Sequence, residues 1–512
     1  MNGAQSLVRT LIASGVDVCF ANPGTSEMHF VAALDQTPGM RCVLGLQENA
    51  VTGMADGYWR IARRPACTLL HCGPGLANGL ANLHNARRAR SGIVNIVGDQ
   101  ATDHRPHDAP LTADTDAIAR TVSSWVRTST HAAEVGRDAA AAVQAARTQP
   151  GQVATLILPS DASWDEGGVV AEALAVPSPT ALGPNAVDNV ARVLRSGRRV
   201  LLLLAGDALF DEGQRLAWTI AQSTGAELLV DFVTAHLARG RGRVPLERVP
   251  YPVDMAIERL RPYDDLVLVQ AKPPVAFFAY PGKPSTQYRA DAQLHVLARP
   301  DQDGVAALAA LAKELGATVR ALPDPGPRPG VADGAPTPEG LARTVAALMP
   351  EGAIVSDESI SYGRGLYPLT MAAPANDWLH LAGGAIGDGL PVATGAALAG
   401  NGRRVVALQA DGSAMYTLQA LWTQARERLP VTTILLNNRR YAILVGEYAG
   451  VGATPGPTAM SMLELGNPDL RWVDIARGLG VEAARATTMG ECADLMRSSF
   501  AREGPFLIEL II

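Results

Sequence analysis

The chain has 512 residues, of which 47% are apolar and 18% are charged, and its net charge is −6. That length is too great for one hydrophobic core, so two to four domains are expected. No basic run is present, which argues against a nucleic-acid partner, and no apolar run reaches the roughly 18 residues that a membrane span needs.

The cysteines favour a reducing compartment. There are five, with no CxxC pair among them: Cys19, Cys42, Cys67, Cys72 and Cys492. The first residues, MNGAQSLVRTLIASGVDV, have Arg9 inside the apolar stretch and no cleavage-like site, so they predict a helix and a strand instead of a signal peptide. A cytoplasmic location is therefore expected.

Residues 1–170 alternate between helix and strand patterns. SLVRTLIASG has apolar residues at helical spacing and ends at Gly15, and a short strand, VDVCFANPG, follows it. Further strands are predicted at Cys67–His71, at Ile93–Val97 and at VATLILP. This alternation predicts a parallel sheet covered by helices.

Two linkers divide the rest of the chain. AEALAVPSPTALGP precedes a second segment, residues 185–325, with strands predicted at RRVLLLLAG, AELLVDF, DLVLVQA and QLHVLA. ALPDPGPRPGVADGAPTPEG, too rich in Pro and Gly for a helix or central strand, precedes a third segment, residues 337–512. The predicted fold class is α/β, with three doubly wound parallel-sheet domains.

The third segment contains the run ADGSAMYTLQALWTQARERLPVTTILLNN, which predicts a turn, a helix, a strand and a second turn. The two turns can meet at the carboxyl edge of a parallel sheet. Asp411 and Asn438 offer hard oxygens there, and Gly412 lets the backbone approach an anion. Mg²⁺ binds few protein oxygens together with substrate phosphates, so the run predicts a Mg²⁺-diphosphate site. The alternative is an ordinary β-α-β turn with a helix-capping Asp.

Three motifs near the N-terminus accompany this run in a fixed order: ANPGTSE, LQENAVTGMADGYWR and LLHCGPGLANGLANLHNA. Together the motifs resemble the thiamine diphosphate (ThDP) enzymes over nearly the whole chain, and most closely the acetolactate synthase large subunit and benzoylformate decarboxylase branch. The resemblance implies a pyrimidine-binding domain in residues 1–170, a middle domain in residues 185–325 and a diphosphate-binding domain in residues 337–512.

Glu48 follows the predicted strand RCVLGL and begins a helix of small residues. A carboxylate at that position is often only a helix-start charge that the macrodipole favours. The resemblance implies a catalytic role instead, in which the glutamate hydrogen-bonds N1′ of the aminopyrimidine and so assists removal of the C2 proton.

His71 and Ser26 are the other candidate catalytic residues. His71 ends the strand CTLLH, and Ser26 stands in NPGTSE, where it could equally be a helix N-cap. The resemblance implies that both face the substrate and orient its carboxylate, with a proton-transfer role for His71. A protein nucleophile is not required, since the cofactor provides one.

The resemblance also implies a set of cofactor contacts. Asp411, Asn438 and the main-chain oxygen of Arg440 would bind Mg²⁺. Besides Glu48 and Asp411, the residues expected to contact the cofactor are Asn22, Pro23, Gly24, Thr25, Gly73, Asn78, Ser359, Ile360, Ser361, Gly384, Ile386, Gly412, Ser413, Asn438 and Tyr441. Two positions depart from the family pattern, Ala410 and Asp388, and Asp388 is expected to change the pocket.

Several other polar residues are interpreted as structural. His104, His107 and Asp108 lie in a Pro-containing loop, DHRPHDAP, with a spacing that is not diagnostic of a metal site. His84 and His380 receive the same interpretation.

The expected function is ThDP- and Mg²⁺-dependent cleavage or ligation of C–C bonds in 2-oxo acids, in the manner of acetolactate synthase. In ligation, an aldehyde or a second 2-oxo acid would be the acceptor. The alternatives are a benzoylformate decarboxylase-like enzyme and a non-catalytic ThDP-binding paralogue or partner subunit. The segment AKPPVAFFAYPGKPS lacks the second histidine of the decarboxylase pattern, which favours ligation. FAD is not expected. The resemblance implies a homodimer or homotetramer with active sites between subunits.

Overall fold

Short apolar strands and amphipathic helices alternate along the chain, and the strands form three sheets. The computed structural model describes residues 1–512. Every strand of the first sheet pairs in parallel with its neighbours, in the order β2-β1-β3-β4-β6-β5. Its strands are β1 (Val18–Ala21), β2 (Arg41–Leu44), β3 (Ala66–Leu70), β4 (Ile93–Asp99), β5 (Trp125–Thr128) and β6 (Val153–Pro159).

Helices cover this sheet because its central strands are buried along their whole length, as for β4 and β6. They are α1 (Gly3–Ala13), α2 (Met28–Asp35), α3 (Glu48–Ala62), α4 (Cys72–Asn78), α5 (Leu80–Ala89), α6 (Thr115–Arg120), α7 (Ala132–Arg147) and α8 (Ser160–Trp164). Two 3₁₀ turns add Thr25–Glu27 and Arg105–His107. The helix predicted before Gly15 is α1, and the predicted strands correspond to β1, β3, β4 and β6.

The middle sheet is also parallel, in the order β10-β8-β7-β11-β12. The apolar run VLLLL forms its fully buried centre, β7. The strands of this segment are β7 (Val200–Leu204), β8 (Glu227–Val230), β9 (His236–Arg239), β10 (Glu247–Arg248), β11 (Asp265–Val269) and β12 (Gln293–Ala298). Its helices are α9 (Ala186–Leu194), α10 (Asp211–Thr224), α11 (Val253–Leu260) and α12 (Gly304–Leu315), with a 3₁₀ turn at Gly206–Leu209.

The third sheet has the order β17-β18-β16-β15-β13-β14-β9. Its own strands are β13 (Ile354–Glu358), β14 (Asn376–His380), β15 (Val405–Ala410), β16 (Val431–Asn437), β17 (Glu482–Ala486) and β18 (Phe506–Ile511). Its helices are α13 (Pro338–Leu348), α14 (Leu366–Leu369), α15 (Gly389–Ala399), α16 (Asp411–Ala414), α17 (Gln419–Arg426), α18 (Ala442–Gly450), α19 (Pro457–Ser461), α20 (Trp472–Gly478) and α21 (Met489–Phe500), with a 3₁₀ turn at Tyr362–Gly365.

One strand of this sheet comes from the middle segment. β9 pairs antiparallel with β14 at the sheet edge, while the other strands are parallel. His236 Nε2 lies 2.8 Å from Asp377 Oδ1 and joins the two strands through their side chains. The sequence did not predict β9, and the strand ties the second and third segments together.

The first and third units pack against each other through α3 and α15. Gly395 on α15 lies so close to α3 that an added Cβ would be 1.9 Å from the carbonyl oxygen of Met54. Buried charges complete this contact, since Arg60 pairs with Asp56 and donates to the carbonyl of His380 at 2.7 Å. No helix in the structure combines the length and the apolar character needed to cross a membrane.

Candidate functional site

Three neighbouring strands of the first sheet, β2, β1 and β3, end at the same edge and lead directly to candidate residues. β1 runs into Asn22, β2 precedes Glu48 by three residues, and β3 is followed at once by His71. Because carboxyl ends of parallel strands meet at one edge, residues far apart in sequence come together here.

Glu48 is the first residue of α3, but it does not cap that helix. The cap is the side chain of Gln47, whose Oε1 accepts a hydrogen bond from the N–H of Ala50 at 2.9 Å. The half-buried Glu48 carboxylate instead accepts a hydrogen bond from Asn78 Nδ2 at 3.2 Å, and Gly75 lies beside it. The carboxylate is therefore not consumed by helix capping and stands at the sheet edge.

His71 and Ser26 lie side by side, around a residue that the sequence reasoning missed. Ser26 Oγ lies 3.2 Å from His71 Nδ1, and its hydroxyl donates to the carboxylate of Glu27. Glu27 Oε2 is 2.9 Å from the same His71 nitrogen, although Glu27 itself is only 2% exposed. Ser26 lies within the 3₁₀ turn Thr25–Glu27, so it is not the N-cap.

The other first-unit candidates surround this group. Asn22, Pro23 and Thr25 lie in the turn between β1 and α2, while Gly73 and Asn78 belong to α4. All of them lie at the same edge of the sheet as Glu48. Gly73 is buried, whereas Asn78 is exposed and reaches Glu48.

Four neighbouring strands of the third sheet, β16, β15, β13 and β14, end at candidate residues as well. Asp411 follows β15 directly, and Asn438 follows β16 directly. The Asp411 carboxylate accepts hydrogen bonds from the N–H groups of Gly412 at 2.9 Å and Arg439 at 2.7 Å. Burial raises the pKa of Asp411, and these backbone hydrogen bonds oppose that shift.

Asn438 completes the predicted metal donors. Its Oδ1 accepts a hydrogen bond from the N–H of Arg440 at 3.0 Å, which folds the turn so that the Arg440 backbone lies beside it. A carboxylate, an amide oxygen and a carbonyl on two adjacent turns are the hard oxygen donors that suit Mg²⁺. The residues present therefore fit the predicted ion.

The predicted diphosphate contacts lie beside these donors. The ring of Tyr441 packs so closely on Gly412 that an added Cβ would be 2.5 Å from a ring carbon. Ser413 Oγ accepts a hydrogen bond from Gln409 Nε2 at 2.7 Å. Both contacts fix the start of the Asp411 turn.

Ser359, Ile360 and Ser361 form the turn after β13. Ile360 has φ +51°, a left-handed conformation that a β-branched residue rarely adopts. Such strain persists where surrounding structure enforces it, which is common at ligand sites.

The loop that carries Gly384 and Ile386 is held by a second carboxylate that the sequence reasoning missed. Glu358, 1% exposed, accepts hydrogen bonds from the N–H groups of Gly387 at 2.7 Å and Gly389 at 2.8 Å. Burial raises the pKa of Glu358, while these bonds and one from Gln409 oppose the shift. Its position directly before the candidate residues Ser359, Ile360 and Ser361 was the available signal.

Asp388, which was expected to change the pocket, is held by a charged residue of the first unit. It is 2% exposed, and its carboxylate lies 3.6 Å from the guanidinium of Arg60, in the contact between α3 and α15. Burial raises the pKa of Asp388 well above its ordinary value, although Arg60 opposes the shift. The departure from the family pattern thus belongs to a buried charge cluster between two units.

The histidines interpreted as structural make no side-chain hydrogen bond with Glu48 or His71. His104, His107 and Asp108 are all exposed on the loop after β4. His84 Nε2 lies 3.2 Å from the carbonyl oxygen of Gly383, at the start of the glycine-rich loop, and His380 is buried.

Within one chain, the side-chain hydrogen bonds of Glu48 and Asp411 go only to residues of their own units. A cavity of about 320 Å³ lies elsewhere, between the middle sheet and the ends of α3 and α5. None of the predicted site residues lines it.

Comparison with known proteins agrees with this arrangement. Residues 1–119 match the family described as thiamine pyrophosphate enzyme, N-terminal TPP binding domain, and residues 365–510 match the corresponding C-terminal TPP binding domain. The chain is 51% identical to the Mycobacterium tuberculosis protein named "Putative acetolactate synthase large subunit IlvX". The alignment covers 100% of this chain and 99% of that protein.

Two further relatives cover nearly the whole chain. Benzoylformate decarboxylase of Pseudomonas aeruginosa is 30% identical, over 97% of this chain and 96% of its own. The solved structure of the ThDP-dependent 4-hydroxybenzoylformate decarboxylase of Rhodococcus jostii RHA1 has a TM-score of 0.86 and 25% identity, over 99% of this chain and 98% of its own. Because the two matched domains and the full-length relatives agree with the two sheet edges, the chain belongs to the thiamine pyrophosphate enzyme family.

Proposed function

We propose that this chain is a ThDP- and Mg²⁺-dependent enzyme that cleaves or forms the C–C bond next to the carbonyl of a 2-oxo acid, in the manner of acetolactate synthase. The observation that carries the proposal is that two sheet edges, one in the first unit and one in the third, each present a set of candidate residues. One presents Glu48 and His71, and the other presents Asp411 and Asn438. The relatives named as acetolactate synthases support the substrate class.

The third unit would hold the diphosphate end of the cofactor. Asp411, Asn438 and the Arg440 carbonyl would bind Mg²⁺, which in turn binds the phosphates. The neighbouring small and hydroxyl residues would contact the diphosphate: Ser359, Ile360, Ser361, Gly412, Ser413 and Tyr441. When bound, ThDP supplies a carbon nucleophile and accepts the electron pair that departing CO₂ leaves.

The first unit would handle protons. The Glu48 carboxyl, held by Asn78 and not needed as a helix cap, would share a proton with N1′ of the aminopyrimidine. His71 and Ser26 would orient the substrate carboxylate. Gly384 and Ile386 would contact the aminopyrimidine, in a loop that Glu358 fixes.

We also propose that two chains share each active site, in a homodimer or homotetramer. Glu48 and Asp411 make no side-chain contact with each other within one chain, which supports completion of the site by a partner. The proposed domains are residues 1–170 for the pyrimidine, 185–325 for the middle and 337–512 for the diphosphate. All five cysteines are unpaired, which supports a cytoplasmic location.

A second candidate function is decarboxylation of an aromatic 2-oxo acid. Phe277 of the middle segment lies against the glycine-rich loop, where its ring is 2.4 Å from the position of a Cβ added to Gly384. Phe277 and Phe278 are 41% and 60% exposed, with ring centroids 4.8 Å apart. An exposed aromatic pair beside the cofactor loop suits an aryl substrate, as in the relatives named benzoylformate decarboxylase.

The test is a screen of the purified protein, with ThDP and Mg²⁺, against 2-oxo acids with and without aldehyde acceptors. Release of CO₂ together with a 2-hydroxy ketone or acetohydroxy acid indicates a carboligase, whereas CO₂ and an aldehyde alone indicate a decarboxylase. ThDP binding by calorimetry without any turnover would reject both activities and leave a non-catalytic paralogue.

A further inference from the structure

The proposed function leaves one buried acid of the first unit without a role. Glu27 is 2% exposed, yet it lies at the sheet edge next to His71, not in the core of the unit. Its Oε2 accepts a hydrogen bond from the N–H of Gly24 at 2.8 Å and lies 2.9 Å from His71 Nδ1. Its Oε1 accepts from the hydroxyl of Ser26. An acid with these partners is an organised part of the site.

The donors and acceptors determine the state of the imidazole. A carboxylate only accepts hydrogen bonds, so the contact with Glu27 requires a hydrogen on Nδ1 of His71. Ser26 already donates its hydroxyl hydrogen to Glu27 and cannot supply that hydrogen. Nε2 is then the free nitrogen of the ring, on a side chain that is 23% exposed at the edge of the sheet.

Three backbone positions are arranged to fit this pair. A Cβ at Gly98 would lie 1.7 Å from Glu27 Oε1, and one at Gly24 would lie 2.2 Å from the His71 ring. Cys72 adopts φ +51°, a left-handed conformation unusual for a residue with a side chain, and its Sγ lies 3.2 Å from Ser26 Oγ. Strain of this kind is kept where the surrounding structure enforces it.

We propose that Glu27 is a positioning residue that fixes His71 as the Nδ1–H tautomer and favours its imidazolium, so that Nε2 delivers the proton that replaces departing CO₂. The proposal rests on the second candidate function, decarboxylation, because ligation replaces CO₂ with a C–C bond instead of a proton. The proton moves from Nε2 to the carbon that held the carboxylate, and His71 regains it from water, so no other reactant is needed. The segment AKPPVAFFAYPGKPS contains no histidine that could do this instead.

Three other titratable groups lie near His71: Cys72, Asp99 and Glu48. Burial raises the pKa of the Cys72 thiol to about 11, which keeps the thiol neutral. Asp99, at the end of β4, is paired with Arg105 at 2.8 Å. Glu48 approaches from α3, on the far side of Gly75. Glu27 is therefore the acid in direct contact with the imidazole.

The first test uses the protein without cofactor. Diethyl pyrocarbonate modifies only the unprotonated imidazole, and peptide mapping reports each histidine separately. In the Glu27→Gln variant, we expect the midpoint of His71 modification to fall by about one to three pH units, because a carboxylate partner stabilises the imidazolium by that amount. Exposed His131 is the internal control and should keep its profile.

The second test uses the loaded enzyme. As the pH rises, the Glu27→Gln variant should lose activity at a lower pH than the wild type does. Glu27→Asp, which retains the charge, should recover part of the wild-type pH profile of activity. Unchanged His71 modification in a Glu27→Gln protein with native circular dichroism would overturn the proposal. Should Glu27→Gln not fold, ¹⁵N NMR of the wild-type histidines reports the tautomer directly, and a neutral His71 with its hydrogen on Nε2 would overturn the proposal.

The two proposals fail in different ways. An inactive wild type with a Glu27-dependent modification profile would reject the proposed function and retain the pair. An active enzyme whose His71 profile ignores Glu27 would reject the pair and retain the function.

Discussion

At the residue scale, two glutamates at the edge of the first sheet have different surroundings. Glu27 is buried, with hydrogen bonds to Gly24, Ser26 and His71, whereas Glu48 is half-buried and accepts one hydrogen bond, from Asn78. A half-buried carboxyl with free acceptor positions can bind a ligand nitrogen. A buried, saturated carboxylate can act only through its neighbours.

Replacement of Glu48 separates chemistry from folding. Glu48→Ala should slow exchange of the C2 proton of bound ThDP by about 10²–10⁴-fold, the range for a general acid-base group. Proton exchange followed by NMR measures this. Gln47→Ala is the matched control, because it removes the side chain that caps α3 and should cost about 1 kcal/mol of stability without this loss of exchange. Equal exchange rates in Glu48→Ala and the wild type would contradict the role.

Asp411→Ala removes the only carboxylate among the predicted metal donors. We expect the variant to lose the Mg²⁺ dependence of ThDP binding, because the remaining donors are a neutral amide and a carbonyl. Calorimetric titration of ThDP with and without Mg²⁺ measures the difference. An unaltered Mg²⁺-dependent affinity would show that the ion binds elsewhere.

At the element scale, Glu358 at the end of β13 fixes the loop before α15. Glu358→Gln replaces one of the two carboxylate oxygens with an NH₂ group. Either the N–H of Gly387 on Oε1 or the donors of Gly389 and Gln409 on Oε2 then lose their acceptor. A charge-assisted hydrogen bond contributes about 1.5–3 kcal/mol. If bound ThDP must order the loop without that bond, its affinity should fall by about 10–100-fold. Exposed Glu339→Gln in the same unit should bind ThDP normally.

The pairing of β9 with β14 predicts a pH-dependent stability. Burial alone would raise the pKa of Asp377, but His236 and Arg403 lower it well below its ordinary value. A lowered folded-state pKa stabilises the fold above the unfolded value of about 4, and this contribution is lost as the pH falls below it.

Asp377→Asn should therefore lower the unfolding free energy by about 2 kcal/mol at neutral pH. Urea denaturation at a series of pH values should show the difference from wild type shrinking below pH of about 4. A difference that stays constant across that range would mean that the Asp377 charge contributes nothing.

At the scale of the whole molecule, the shared active site makes a prediction about mixed assemblies. Glu48→Ala and Asp411→Ala subunits are each inactive alone. If each site takes Glu48 from one chain and Asp411 from the other, a mixed dimer has one site with both residues intact. After equal subunits are unfolded, mixed and refolded, about one quarter of the sites should be active. Mixtures as inactive as either parent would place both residues of a site in one chain.

Much of the architecture follows from local sequence. Uninterrupted apolar runs such as VLLLL predict central parallel strands, because both faces of such a strand are covered. Glu48, His71, Asp411 and Asn438 each follow the end of a strand, β2, β3, β15 and β16 respectively, as the sequence predicted. The strands needed only the residues of one short segment, whereas the roles of these side chains needed several separated motifs in a fixed order.

Contacts between segments were decided by the tertiary structure. β9 joins the third sheet although its sequence neighbours form the middle sheet, and Asp388 turns towards Arg60 of α3. Glu27 meets His71 because β1 and β3 are adjacent in the sheet, an order that no local pattern encodes. Local sequence fixes which residues stand at a strand end, while strand order and helix packing determine which of those residues touch.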